Sequence, residues 1–419
     1  MISLRRSSLV DRKYVRFFSI YFLIIADKVR IQEIVNFTAL ISTSEEAENM
    51  FEPFHEVVTN VSKTIGKYEA ELHRPVVGVM PAYFPMELVD AAGGYPVQLW
   101  GNNLPIENAD AYLQSYCCSV GRSVLELELR GIAKMVKAYA FTSLCDTLVN
   151  LREIYRRTFD KPTVELSIPI TRTVEARNQY LKSVVRSVID GLEEITGKKM
   201  TPETLQRASA RFGHTRLLQR RLYRMRRENP GLIKNHDFYT VIKAGFFLPV
   251  DINNAMLEGL LDSLIQVDGP LNSRPKLLLS GMVFDPIAIY QILDESDVSI
   301  VDDDFANGWR SVAKEDLKTE NLAAGITEYL FNPTPCSCIY NPDNDRHSYL
   351  LKKVEESGAD GVLFWYLKFC EPDAFDRPQL MKRLKDEGIP VAFIDLELTM
   401  TNFDQLKTRV NAFCEILEQ

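Results

Sequence analysis

The 419-residue sequence lacks an excess of positive charge: 49 lysines and arginines face 57 aspartates and glutamates, for a formal charge of −8. A surface built mainly to hold phosphate is thereby excluded, and nucleic acid is not an expected partner. Long apolar runs are also missing. The apolar stretch near the start, Phe17 to Ala26, is only ten positions long and too short to cross a bilayer, so no membrane is expected as a partner. Hydrophobic residues at 46% and charged residues at 25% exclude disordered and collagen-like chains. The length calls for two or three compact units.

Cysteine is sparse, and its arrangement excludes three common uses. Seven cysteines, an odd number dispersed through a long chain, do not form the dense framework of a small secreted domain. A C-x2-C or C-x4-C zinc pair is absent, as is a thioredoxin-like C-x-x-C. The expected compartment is reducing and cytoplasmic, with the cysteines as thiols or metal ligands. A phosphate-cradling G-x-x-x-x-G-K loop is absent too.

What is present is an alternation of strands and helices. Arg5, Arg6, Arg12, Lys13 and Arg16 precede the apolar stretch in the order of an export signal, but Asp27, Lys28 and Arg30 stand where small residues would allow cleavage. Residues 1–73 therefore read as a helical extension, with Met50 as an alternative start. In residues 74–170, Val76 to Met80 reads as a strand, Pro85 to Ala92 as a helix, Val97 to Trp100 as the next strand and Ala138 to Leu144 as a later one.

Residues 269–419 repeat the plan. Leu277 to Leu279 and Val298 to Val301 read as strands around a helix at Pro286 to Leu293, followed by strands at Gly361 to Phe369 and Pro390 to Ile394 and a terminal helix at Asn402 to Leu417. Alternating strands and helices predict α/β architecture with parallel sheets covered on both faces. The expectation is two doubly wound, Rossmann- or flavodoxin-like domains related by an internal pseudo-repeat. Residues 171–268 read as an inserted helical segment, in which Thr215 to Arg227 carries six arginines. Such a face could receive a nucleotide, coenzyme A or an acidic partner, but the expectation is a solvated helix that also touches neighbouring carboxylates.

Six cysteines fall into two clusters, one in each α/β half. Cys117 and Cys118 are followed 27 positions later by Cys145, and Cys336 and Cys338 are followed 32 positions later by Cys370. Cys145 and Cys370 each follow a predicted strand and precede an acidic residue, Asp146 or Glu371. In open parallel sheets the crevice beyond the carboxyl ends of the strands is where ligands bind, and a helix N-terminus there favours thiolate. Two uses remain open: buried apolar thiols, or ligands to an iron–sulfur centre, the chemistry that employs many soft thiolates without compact spacing. Adjacent C-C and C-x-C at loop positions favour the second. Cys414, among Val410, Phe413 and Leu417 on a helix face, belongs with the first.

The order Pro81-Ala82-Tyr83-Phe84-Pro85, Ala91-Ala92-Gly93, Ser115-Tyr116-Cys117-Cys118, Ser143-Leu144-Cys145-Asp146 and Phe369-Cys370-Glu371-Pro372 resembles the 2-hydroxyacyl-CoA dehydratase and benzoyl-CoA reductase superfamily across residues 50 to 419. Six cysteines in the order C-C, C, C-x-C, C resemble its double-cubane branch, whereas ordinary dehydratase subunits use three cysteines for one [4Fe–4S] cluster. The resemblance implies that Cys117, Cys118, Cys145, Cys336, Cys338 and Cys370 hold an [8Fe–9S] double cubane, two [4Fe–4S] units bridged by sulfide. It implies a low-potential reductase of small molecules, supplied with single electrons by a separate homodimeric [4Fe–4S] ATPase, in an anaerobic cytoplasm and as a homodimer. The alternatives are a dehydratase subunit with one [4Fe–4S] cluster and a non-catalytic electron-transfer protein. No catalytic acid or base is carried over. Tyr116, Ser337, Asp146 and Glu371 are proton-donor candidates by adjacency alone.

Overall fold

In both halves, β-branched and leucine-rich runs that bury all their residues form the middle of a sheet, because parallel strands are covered on both faces. The computed structural model describes residues 50–418 apart from 170, 172, 267–273, 297, 319–321, 332–333 and 340–344. The readings placed on residues 1–49 lie outside these. From Phe51 onward the chain is one compact unit.

The first sheet contains β1 (Val76–Val79), β2 (Tyr95–Gln98), β3 (Val136–Ser143) and β4 (Thr163–Ser167), in the spatial order β2-β1-β3-β4. The second contains β5 (Lys276–Gly281), β6 (Ser299–Asp304), β7 (Gly361–Leu367) and β8 (Val391–Leu396), in the order β6-β5-β7-β8. Every pairing is parallel, and the two orders are the same, so the α/β fold with two doubly wound sheets and its internal repeat is observed. In each sheet the strand order reverses at the central pair, β1/β3 and β5/β7, which places a ligand crevice beyond their carboxyl ends.

Helices α1 (Glu52–Thr59) and α2 (Val61–Leu72) precede the first sheet, and α3 (Met86–Ala91), α4 (Ser119–Leu129) and α5 (Asp146–Thr158) connect its strands. A helical layer follows: α6 (Lys182–Thr196), α7 (Pro202–Glu228), α8 (Asn235–Ala244) and α9 (Val250–Leu264). The second half carries α10 (Ala288–Glu295), α11 (Trp309–Val312), α12 (Leu322–Phe331), α13 (Arg346–Ser357), α14 (Glu371–Asp386) and α15 (Asp404–Leu417). Among the described residues no helix is long and apolar enough to cross a membrane.

Two departures from the sequence reading matter. Strand β6 does not stop at Val301: Asp302, Asp303 and Asp304 continue it, each 0% exposed. Aspartate is a poor strand former, and such burial needs partners. Asp302 meets Arg227 at 2.7 Å and Lys353 at 2.8 Å, Asp303 accepts from the Tyr223 and Tyr239 hydroxyls, and Asp304 meets Arg310 at 2.8 Å and Arg346 at 3.2 Å.

Helix α7 supplies part of this set and is not a merely solvated face. Its start is fixed by Thr201, whose hydroxyl accepts from the Thr204 amide while Thr204 returns the bond, with Pro202 in the first turn. Arg221 and Arg224 are exposed, as the charge run predicts. Arg216 and Arg226 are buried, the first paired with Glu87 at 2.6 Å and Asp316 at 2.9 Å, the second stacked 4.0 Å over Phe238 and donating to the Ile300 carbonyl. The helix thereby ties α3 of the first half to β6 of the second.

Candidate metal centre

Three of the six clustered cysteines occupy the same local position. Cys118, Cys145 and Cys370 are the N-cap residues of α4, α5 and α14, where the chain leaves a loop and the first amides of the helix are unsatisfied. Cys145 and Cys370 lie at the turns after β3 and β7, the strands beside the reversal of order in each sheet. The positive ends of three helices therefore converge on thiols, which favours thiolate and metal ligation. Cys117 precedes Cys118, with its amide donating to the Gln114 carbonyl at 2.9 Å.

Cys336 and Cys338 sit in a tight loop after α12, where the Ile339 amide returns to the Cys336 carbonyl at 3.1 Å and the Cys338 amide donates to the Cys336 sulfur at 3.4 Å. The two halves meet nearby, as the Leu398 amide beyond β8 donates to Ser119 Oγ at the start of α4.

Electrostatics show that the clusters share one neighbourhood. Burial pushes the Cys118 thiol up to about 11, with Cys145 and Cys117 adding to the rise and the amides of Gly121 and Val120 opposing it. Cys145 is raised by burial and by the Asp146 and Glu371 carboxylates, against the amides of Leu148 and Thr147. Cys370 is raised by burial, then by Asp373, Cys118 and Cys145. Cys338 is raised by its hydrogen bond to Cys336 and by burial, and it also feels Cys370 and Cys145. Thiols from residues 118, 145, 338 and 370 thus lie within reach of one another's charge, although 252 positions separate the first from the last.

Cys336 behaves oppositely. Burial opposes its ionisation, yet the Cys338 thiol, the Arg310 guanidinium and the Tyr83 hydroxyl together hold its pKa well below the ordinary thiol value. Arg310 is fully buried; its Nη1 donates to Cys336 Sγ at 3.0 Å and to the Tyr83 hydroxyl at 3.3 Å, while Nε and Nη2 grip Asp304 at 2.8 Å and 2.6 Å. No local motif marks Arg310, which precedes Cys336 by 26 positions, so sequence alone does not find it. Tyr83 (φ 65°) and Phe369 (φ 63°), beside Cys336 and Cys370, hold left-handed backbone that costs a bulky residue about 1–3 kcal/mol.

The four adjacency candidates fare differently. Tyr116 is 66% exposed, Asp146 and Glu371 are exposed carboxylates, and the Ser337 hydroxyl lies 3.5 Å from Met282 Sδ. Arg310, which is not among them, donates to Cys336 Sγ at 3.0 Å. Cys414 is buried beside Val410 and Phe413.

Two pockets are found among the described residues, and no cysteine lines either. One of about 120 Å³ is lined by Tyr83, Trp100, Glu87, Arg216, Lys314 and Tyr329, so Tyr83 separates it from Cys336. Within it the Lys314 ammonium lies 5.1 Å from the Tyr83 ring centre and 4.7 Å from that of Tyr329, and burial pulls its pKa down to about 8. The other, about 420 Å³ and largely apolar, is bounded by Ile65, Leu99, Leu127, Phe247 and Leu398.

Half-buried thiols at 118, 145, 338 and 370 that resist ionisation, the buried Cys336 that favours it, helix N-termini and a guanidinium form a donor set suited to a cationic, thiophilic group whose binding expels the protons. The donor set fits an iron–sulfur centre. The chain belongs to the 2-hydroxyglutaryl-CoA dehydratase, D-component family, which it matches over residues 81–417. It is similar to the (R)-phenyllactyl-CoA dehydratase beta subunit of Clostridium sporogenes, at 28% identity over 88% of this chain and 99% of that protein. It is also similar to the lactoyl-CoA dehydratase subunit beta of Anaerotignum propionicum, at 28% over the same shares. A benzoyl-CoA reductase subunit from Thauera aromatica is 28% identical over 77% of this chain and 85% of that protein.

Proposed function

We propose that Cys117, Cys118, Cys145, Cys336, Cys338 and Cys370 hold a double-cubane [8Fe–9S] cluster, and that the chain is a low-potential reductase of small molecules. The observation that carries this is the convergence of thiols from both halves on one neighbourhood. Three thiolates per cubane leave one iron in each for a shared sulfide, which accounts for all six. When bound, such a cluster supplies one-electron chemistry at a potential set by its surroundings. The chain's own residues aim Arg310 at Cys336 Sγ and set Cys118, Cys145 and Cys370 at helix N-termini. The 120 Å³ pocket supports a small substrate. In this reading, as the family resemblance implies, a separate homodimeric [4Fe–4S] activator hydrolyses ATP and supplies the electrons in an anaerobic cytoplasm, and the reductase itself pairs as a homodimer.

A second reading is favoured by the names of the relatives: a 2-hydroxyacyl-CoA dehydratase subunit with one [4Fe–4S] cluster, its acyl chain in the 420 Å³ apolar pocket. Iron and acid-labile sulfide in anaerobically purified protein decide between them. About eight irons per chain are expected for the double cubane and about four for the single cluster; a colourless, iron-free protein made with intact cluster assembly would refute both. Cys338→Ser should lower the iron content, and an unchanged content and spectrum would remove that residue from the site. Multiple turnovers of a small unsaturated substrate with ATP, reductant and activator separate a catalyst from an electron carrier.

A further inference from the structure

Far from the cysteines in sequence, His55 on α1 meets the first turn of α8. Its Nε2 lies 2.7 Å from Asp237 Oδ1, and His236 Nδ1 lies 3.8 Å from the same oxygen. The two imidazoles are stacked, with centres 5.0 Å apart and planes 14° from parallel. All three candidate ligand atoms fall within 4.8 Å of one another. We propose that His55, His236 and Asp237 form a binding site for a divalent metal ion of the zinc class, clasping α1 to α8.

The geometry is close to what such an ion requires. Ligands at 2.0–2.2 Å from a tetrahedral zinc stand about 3.4 Å apart. The His55–Asp237 separation therefore has to open by about 0.7 Å and the His236–Asp237 separation to close by about 0.4 Å, within reach of side-chain rotation. Two imidazoles and a carboxylate suit zinc and its neighbours. The side chains of His55, His236 and Asp237 are 25%, 21% and 18% exposed, open enough for an ion to enter and for water to complete the shell.

Supporting contacts already orient the ligands. His236 Nε2 is 3.3 Å from the Gln291 side-chain amide on α10. The atom facing it is the amide nitrogen, which donates to Nε2; with the side-chain amide turned over so that its oxygen faces Nε2, Nε2 would keep its proton and Nδ1 would present a lone pair toward Asp237. The His236 and Asn235 amides both donate to Asp294, which fixes the backbone and adds negative potential. Phe54 and Val57, buried on either side of His55, hold α1 in place. One oxygen of Asp237 thus faces one ring nitrogen of each of the two stacked imidazoles.

The test is a cobalt(II) titration of the purified protein, read as the difference spectrum against the same sample without cobalt. One ion per chain should bind with weak ligand-field absorption and no sulfur-to-metal charge transfer, and zinc should displace it. His55→Phe keeps the stacked ring and removes the nitrogen, and it should lose the band; Gln291→Leu should weaken binding about 10- to 100-fold. Absence of a sulfur-free band in the wild type, or its persistence in His55→Phe, overturns the proposal. Should His55→Phe fail to fold, Asp237→Asn decides the same point, because it keeps the shape and a hydrogen-bond acceptor but removes the carboxylate.

Discussion

Arg310→Met tests whether the buried charge network, rather than general packing, shapes the loop that carries Cys336. Methionine keeps the apolar stem of arginine but removes the donors to Asp304, the Gly281 carbonyl, Cys336 and Tyr83. Asp304, at 0% exposure, is left with Arg346 at 3.2 Å and Ser280 at 3.1 Å. Removing one partner of a buried pair costs about 3–5 kcal/mol because the other charge stays buried. The surviving Arg346 contact places the expected loss near the lower end, about 3 kcal/mol. Urea unfolding of the apoprotein under reducing conditions reads this as a lower midpoint at unchanged slope. Asp304→Asn in the Arg310→Met background removes the carboxylate that only Arg346 then balances, while Arg346 keeps Asp373 and Asp376, and should recover at least about 1 kcal/mol. Cys336 should also react more slowly with an alkylating agent at neutral pH, since the lost cation favoured its thiolate. A single variant within about 1 kcal/mol of wild type, or a double variant no better than the single one, refutes the reasoning.

Further outcomes follow from burial and close approach. Lys314 has a folded pKa of about 8, below its ordinary value, so unfolding takes up a proton between about pH 8 and 10.5 and wild-type stability rises across that window. The rise amounts to at most about 3 kcal/mol, and Lys314→Met should lack it; parallel pH profiles of the two proteins would show that the amine is not desolvated. Gly281→Ala at the end of β5 would put a methyl 2.2 Å from the Trp365 backbone carbonyl oxygen, which has little room to yield, and should cost more than about 2 kcal/mol. Gly66→Ala, in α2 with nothing within 4 Å, should instead stabilise by about 0.5–1 kcal/mol in thermal unfolding. Equal melting temperatures for the two glycine variants would contradict both assignments.

Local patterns were legible where the chain's own neighbours decide the structure. Val76–Val79 and Leu277–Leu279 are apolar runs bounded by breakers, and they form central strands. Edge strand β4 escaped such a reading, since Thr163–Ser167 buries only Val164 and Leu166 fully and carries Glu165 between them. Strand β6 was read short because its last three residues are aspartates, acceptable there only through Arg227, Arg310, Arg346 and Lys353 from other parts of the chain.

By itself, the sequence determined the alternation of strands and helices, the repeat of that plan, and the placing of Cys145 and Cys370 at strand-to-helix turns. Each of these depends on hydrophobic period and turn chemistry within about ten residues. Only the tertiary structure decided that Arg310 meets Cys336, that α7 buries two arginines of its basic run, and that His55 faces His236 across 181 positions. Those contacts join residues with no local signal for each other. Buried charges and ligand sets become acceptable only once packing has excluded water and brought distant partners within hydrogen-bonding distance.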